Sequence, residues 1–263
     1  MRNFNEIKFP HPPKIEKNGE MTPFVFYGEV IPISKRIQFK LGYFSSNAIG
    51  ILAAGFARFI YNRGSVEFVI NQFLNEKDYK ILNDGDNIDI VEFELIDSIC
   101  KNDLYELHNV LKEANEHFFN CLKYLLKTGQ LKILPVTCVD GAMSHYKEAI
   151  FTDKDDNKIY INGSCNFTAA GIIENGESFI VHQSWRNSDD YDLITEEEKA
   201  FERIFSKRAT ETFIYLDPSK LEKVIYSKAK DKQLSELLHD ENVIRNKLLN
   251  IDFHGKLPGV YYE

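Results

Sequence analysis

Residues 145–177 read HYKEAIFTDKDDNKIYINGSCNFTAAGIIENGE. They place a His-x-Lys on one strand-like run, HYKEAIFTD, and a Gly-Ser-x-Asn just after a second, NKIYING, with the turn-rich DKDDN between them. Residues two apart in a strand project from one face, so this spacing points His145 and Lys147 into a common site. Each residue type suits attack on a phosphodiester. A neutral imidazole is nucleophilic near neutral pH and can form a covalent phosphohistidine. The ammonium of Lys147 is a compact charge for non-bridging oxygens, Asn166 can donate an amide N–H to them, and Ser164 a hydroxyl. Gly163 allows a close backbone approach that a side chain would block.

The pattern extends beyond these residues: Gly163, Ser164, Asn166, Thr168, Gly171, Asn175 and Glu177 follow G-S-x-N-x-T-x-x-G-x-x-x-N-x-E. On these motifs the segment resembles the phospholipase D-like superfamily, whose signature is H-x-K followed by G-S-x-N, in the longer form seen in bacterial nuclease members. The resemblance implies His145 as nucleophile, Lys147 and Asn166 as phosphate binders, Ser164 as a supporting donor and Glu177 as the acid that orients an imidazole. The family motif places an Asp five residues after the Lys. Here that position is Thr152, with Asp153 one residue beyond. Asp153 reads as a turn residue, and its alternative role is that of carboxylate partner to His145. Outside the motif, residues 41–70, LGYFSSNAIGILAAGFARFIYNRGSVEFVI, together with FIVHQSWR and FERIFSK, are similar to phospholipase D-like domains at the front of bacterial DEAD/DEAH-type helicase polypeptides. No G-x-x-x-x-G-K-[ST] loop occurs, so no helicase motor is expected in these residues.

The 263 residues, 43% hydrophobic and 13% aromatic, have the composition of a globular protein with a sizeable core. No apolar run approaches the roughly 18 residues of a membrane span, and the N-terminal residues lack the pattern of a secretory signal, so no membrane and a cytoplasmic location are expected. The four cysteines form no C-x-x-C pair and no His stands at metal-ligand spacing. The expectation is free thiols, no cofactor and no metal. A net charge of -8 speaks against a protein that coats nucleic acid non-specifically, but a local basic patch is compatible with a nuclease.

Along the chain, residues 1–23 carry four of the eight prolines and read as an extended lead-in. Residues 24–32 and 36–44 read as strands, followed by a helix capped at Ser45, Ser46 or Asn47 and ending before Gly64. A strand over 65–73, a short helix over 75–84, a long amphipathic helix over 102–127 and a strand over 131–136 follow. After the motif strands come a short helix at 168–173, a strand at 177–183, a helix over 195–207 and a strand over 210–217. The expected fold is α/β, a phospholipase D-like mixed sheet flanked by helices. Residues 24–217 form its catalytic domain, and 218–263 a helical C-terminal extension or linker.

Displacement at phosphorus needs a nucleophile on one side and a general acid on the other, yet only one H-x-K is present. His108, His117, His182, His239 and His254 lie in no comparable context. The economical reading is a homodimer whose two copies of His145, Lys147 and Asn166 share one site. The flanking resemblance favours DNA over RNA as substrate and suggests restriction or phage defence, with a helicase or specificity domain in a larger protein as a partner. Lys35, Arg36, Lys40, Tyr43, Ser45 and Arg186 are candidate phosphate contacts, and Trp185 a candidate base-stacking residue. The alternatives are a phospholipase or small-molecule phosphodiesterase of the same fold, and a non-catalytic nucleic-acid-binding module.

Overall fold

The computed structural model describes residues 2–16, 19–41, 55–71, 101–140, 146–163 and 178–250. Eight strands form one sheet: β1 (Lys14–Glu16), β2 (Arg36–Leu41), β3 (Ser65–Asn71), β4 (Leu131–Cys138), β5 (Lys147–Thr152), β6 (Lys158–Gly163), β7 (Ser178–Gln183) and β8 (Phe213–Tyr215). Their order is β1-β7-β6-β5-β2-β3-β4-β8. β2, β3 and β4 are parallel, and every other pairing is antiparallel. Among the described residues six α-helices flank it: α1 (Pro23–Val30), α2 (Phe56–Tyr61), α3 (Lys101–Lys127), α4 (Ser188–Phe205), α5 (Ser219–Lys228) and α6 (Leu234–Asn250). The chain is thus α/β, a mixed sheet between helices.

Strand alternation divides the core in two. Ile37, Phe39 and Leu41 of β2, Val66, Phe68 and Ile70 of β3, Ala149 and Phe151 of β5, and Ile159 and Ile161 of β6 join the main cluster, to which α3 adds Ala114, Phe118, Leu122 and Leu125. Phe39 and Phe68 stack at 5.2 Å between ring centroids. The other face carries Ile150 and Tyr160 against Ile194 and Phe201 of α4, and Val69, Leu134 and Val136 against Ile204, Ala209 and Phe213.

The strands expected over 36–44, 65–73, 131–136, 145–153, 157–163, 177–183 and 210–217 correspond to β2 to β8 within the described residues, and the long helix is α3. Four expectations change. Residues 24–32 do not form a strand: Pro23–Val30 is helix α1, with Thr22 accepting a hydrogen bond from the Val25 N–H at 3.4 Å and Pro23 at the first helical position. Its buried residues Pro23, Phe26, Tyr27 and Val30 repeat at helical spacing, and the Phe26 ring meets Phe151 and Phe179. Residues 1–23 are more than a lead-in, because Phe4, Ile7 and Ile15 are buried in the main core and β1 pairs with β7. The acidic helix starts at Ser188 and not Thr195, since the Asn187 side chain accepts from the Asp190 N–H and caps it. Finally, α5 and α6 pack on α3, with Leu221, Ile225, Leu237 and Ile244 in the main core. The Glu241 carboxylate of α6 accepts hydrogen bonds from the N–H groups of Gly55 and Ala57, at 3.0 and 2.6 Å, capping α2. The helix expected from 45–47 up to Gly64 is seen as α2 in its second half, while its residues 45–54 and the expected helices at 75–84 and 168–173 lie outside the described residues.

Candidate active site

The parallel strands β2, β3 and β4 end on one side of the sheet at Leu41, Asn71 and Cys138. Lys147 opens β5 on this side, directly opposite Leu41. β6 closes here at Gly163, which lies opposite Phe179 near the start of β7. In open α/β sheets the carboxyl ends of parallel strands are where ligand crevices form. The glycine at 163 has a local cause, because a Cβ there would meet the Ser178 carbonyl oxygen and, at 2.7 Å, Phe179 Cα. Close packing of β7 on β6 therefore demands glycine whatever binds nearby.

Lys147 is half-buried and alternates onto the face of Ala149 and Phe151. On the opposite face lies a compact charged group. Lys40, 7% exposed, places its Nζ 2.6 Å from Glu148 Oε2 and 4.3 Å from the centre of the Tyr146 ring. The same Nζ is 5.5 Å from the Phe201 ring, and Tyr146 also meets Phe213 edge-on at 6.3 Å. Burial pushes the Tyr146 phenol above its ordinary range, and the charges of Cys138, Glu148 and Glu197 act in the same direction. Glu197 is likewise raised, by burial first and then by Glu148, with Lys40 opposing. One ammonium thus serves two carboxylates in a poorly hydrated space.

Of the residues singled out in sequence, His145, Ser164, Asn166, Glu177, Tyr43 and Ser45 lie outside the described residues. The cations read as phosphate contacts do not gather around Lys147. Lys35 donates to the Asn62 carbonyl at 2.6 Å. Arg36 binds Glu67 Oε2 through Nη2 at 2.7 Å and Nε at 3.1 Å, with Glu198 at 3.9 Å. Arg36 pairs with Thr152 at the far end of β5, about 17 Å along β2 from Leu41 at roughly 3.3 Å per residue. Arg186 follows the far end of β7 and binds Asp190 at 2.6 Å. Lys40 is close to Lys147 in register but buried on the other face. The partners of Lys35, Arg36 and Lys40 stand 27 or more positions away, which is why those pairs were not legible in sequence, whereas Arg186 meets Asp190 only four residues on.

Asp153 also sits at the far end. It is 3% exposed and accepts from the N–H of Phe4 at 2.7 Å, of Asp155 at 2.9 Å and of Asn157 at 3.0 Å, as well as from the Asn157 side-chain amide. It is a turn residue that anchors the N-terminal segment, just past the end of β5 opposite to the one where Lys147 sits. Trp185 packs against the main core. His182 Nδ1 lies 2.9 Å from Asp190 Oδ1. Burial works to raise the Asp190 pKa, but hydrogen bonds from His182, the Gln183 N–H and Arg186 together hold it below the usual carboxylate range. Among the described residues no three His, Cys, Asp or Glu side chains gather as a metal site, Cys121 and Cys138 are free thiols, and no helix is long and apolar enough to cross a membrane.

No protein-family model matches the chain, and no curated protein matches its sequence. Solved structures do. It is similar to a phospholipase D family member, Nuc, from Salmonella typhimurium, at 15% identity over 72% of this chain and 87% of that one, with a TM-score of 0.39. It is similar to NucT from Helicobacter pylori at 14% identity over 69% and 86%, TM-score 0.38. A third is the phosphatidylserine synthase of Haemophilus influenzae Rd KW20, at 14% identity over 86% and 42%, TM-score 0.40.

Proposed function

We propose that this chain is a phosphodiesterase of the phospholipase D-like type, a nuclease that cuts DNA at a site shared by two copies. The observation that supports this reading is strand register. Lys147, two residues after His145, opens β5 at the sheet end where β6 closes with Gly163, the residue before Ser164, and where β7 opens with Ser178, the residue after Glu177. Three pieces of one sequence signature thus leave or enter the sheet at a single edge.

In the proposed reaction an imidazole nitrogen of His145 bonds to phosphorus while the bond to the leaving sugar oxygen breaks, and the protonated His145 of the partner subunit gives that oxygen its proton. The partner's His145, now neutral, takes a proton from water. The resulting hydroxide bonds to phosphorus and the nitrogen–phosphorus bond breaks. Lys147 and Asn166 of both copies hold the non-bridging oxygens, supported by Ser164, and Glu177 fixes the tautomer of the imidazole. The flanking resemblance favours a role in restriction or phage defence, with a helicase or specificity domain as partner.

Plasmid and single-stranded DNA incubated with the protein in excess EDTA tests this. Wild type is expected to cut, and His145→Ala to lose at least about 1,000-fold of the rate, as removal of a nucleophile does. Equal background from both proteins overturns the reading. A concentration-independent monomer mass in solution overturns the shared site.

A further inference from the structure

Lys147 is the first residue of β5, where a strand emerging from a loop has least to hold its pleat in place. Something must keep it from rolling onto the other face. The residues on either side of it, Tyr146 and Glu148, both engage one buried ammonium on the α4 side of the sheet. Lys40 Nζ binds Glu148 Oε2 at 2.6 Å and lies 4.3 Å above the Tyr146 ring. Lys40 itself is fixed by pairing in β2 opposite Glu148, and the Tyr146 ring packs into the cluster of Val69, Leu134, Val136 and Phe213. With both neighbours held on one face, Lys147 is set on the other.

We propose that Tyr146, gripped together with Glu148 by Lys40, is a positioning residue that fixes the facing of Lys147. The inference rests on the nuclease reading above. Lys40 then acts from behind the strand and not on substrate phosphate. Its charge is worth more against a ring and a carboxylate in this partly buried space than at the surface. A roll of the strand by one residue would break the ion pair and the cation–π contact together, so the clamp opposes that motion with both at once. The hydroxyl of Tyr146 has no part in this; the ring does.

The test is kcat and KM for single-stranded DNA in excess EDTA, using wild type, Tyr146→Ala, Tyr146→Phe and Ile225→Ala. The last is a core truncation on the buried face of α5 that controls for lost stability. Tyr146→Ala is expected to lower kcat about 50-fold with KM within about threefold, because misplaced groups cost rate before binding. Tyr146→Phe is expected to recover the rate to within about fivefold of wild type, and Ile225→Ala to keep its kcat below its melting point. Should Tyr146→Ala not fold, the volume-conserving pair Lys40→Met with Glu148→Leu removes the same clamp, with about a tenfold fall in kcat expected. A kcat for the clamp variant equal to that of Ile225→Ala overturns the proposal, as does a rise in KM alone, or a Tyr146→Phe as slow as Tyr146→Ala. Inactive wild type instead overturns the nuclease reading, and this inference with it.

Discussion

At the scale of single residues, burial decides more than identity does. His117 on α3 is 2% exposed, with Nε2 3.6 Å from Cys121 Sγ and no hydrogen-bond partner for Nδ1 among the described residues. Burial lowers its pKa from 6.5 to about 4; Asp240 acts to raise it and Lys232 to lower it further. The unfolded chain therefore binds a proton near pH 6.5 that the folded chain refuses until about pH 4. Stability contributed by the neutral imidazole is complete above pH 6.5 and is lost as pH falls toward 4. Urea unfolding at pH 7 and pH 5 checks this: wild type is expected to lose about 2 kcal/mol more between the two than His117→Leu does. An equal loss in both proteins would show that this histidine is accessible to protons in the fold. In sequence His117 lay outside any motif and could be structural or exposed; its burial, and Asp240 brought alongside by α6, appear only in the fold.

At the scale of elements, residues far apart in the chain hold the pieces in place. The turn between β5 and β6 does more than reverse direction. Asp153 caps it through the N–H groups of Asp155 and Asn157 and reaches Phe4 across the fold. The Asn3 amide adds a bond of 2.8 Å to Asp155. Asp153→Ala leaves the buried Phe4 N–H unpaired and removes the acceptor of the two turn N–H groups, at a cost of roughly 2–4 kcal/mol. Its effect should be directional: amide exchange in residues 2–16 is expected to accelerate at least about tenfold while α3 stays protected. Uniform acceleration would mean that the N-terminal segment is not a separately anchored element. Helix α1 carries a related lesson. Its residues FVFYGEV are aromatic and β-branched enough to suggest a strand, and the Thr22-Pro23 start decided otherwise once Phe26 and Tyr27 found Phe151 and Phe179.

At the scale of the molecule, the sheet and its C-terminal helices form one core. Asn120 accepts the Lys230 N–H at 2.7 Å, Lys123 donates to the Ala229 carbonyl at 3.0 Å, and Glu241 caps α2. A chain ending at Asp217 would expose the faces of α2 and α3 that now cover Leu221, Ile225, Leu237 and Ile244. That truncation is expected to lose cooperative unfolding in calorimetry. A melting transition within a few degrees of the intact chain would show that 218–263 is an appendage after all. Read alone, the sequence determined the alternation of strands and helices, the long amphipathic α3, and the His-x-Lys and Gly-Ser-x-Asn segments, because periodicity and short motifs are local properties. Only the tertiary structure decided that Lys147 and Gly163 lie at one end of the sheet, that Arg36 and Lys40 are paired with Glu67 and Glu148, and that residues 2–16 and helices α5 and α6 enter the core. Those outcomes depend on strand order and register, which bring together residues up to a hundred or more positions apart and which no local pattern encodes.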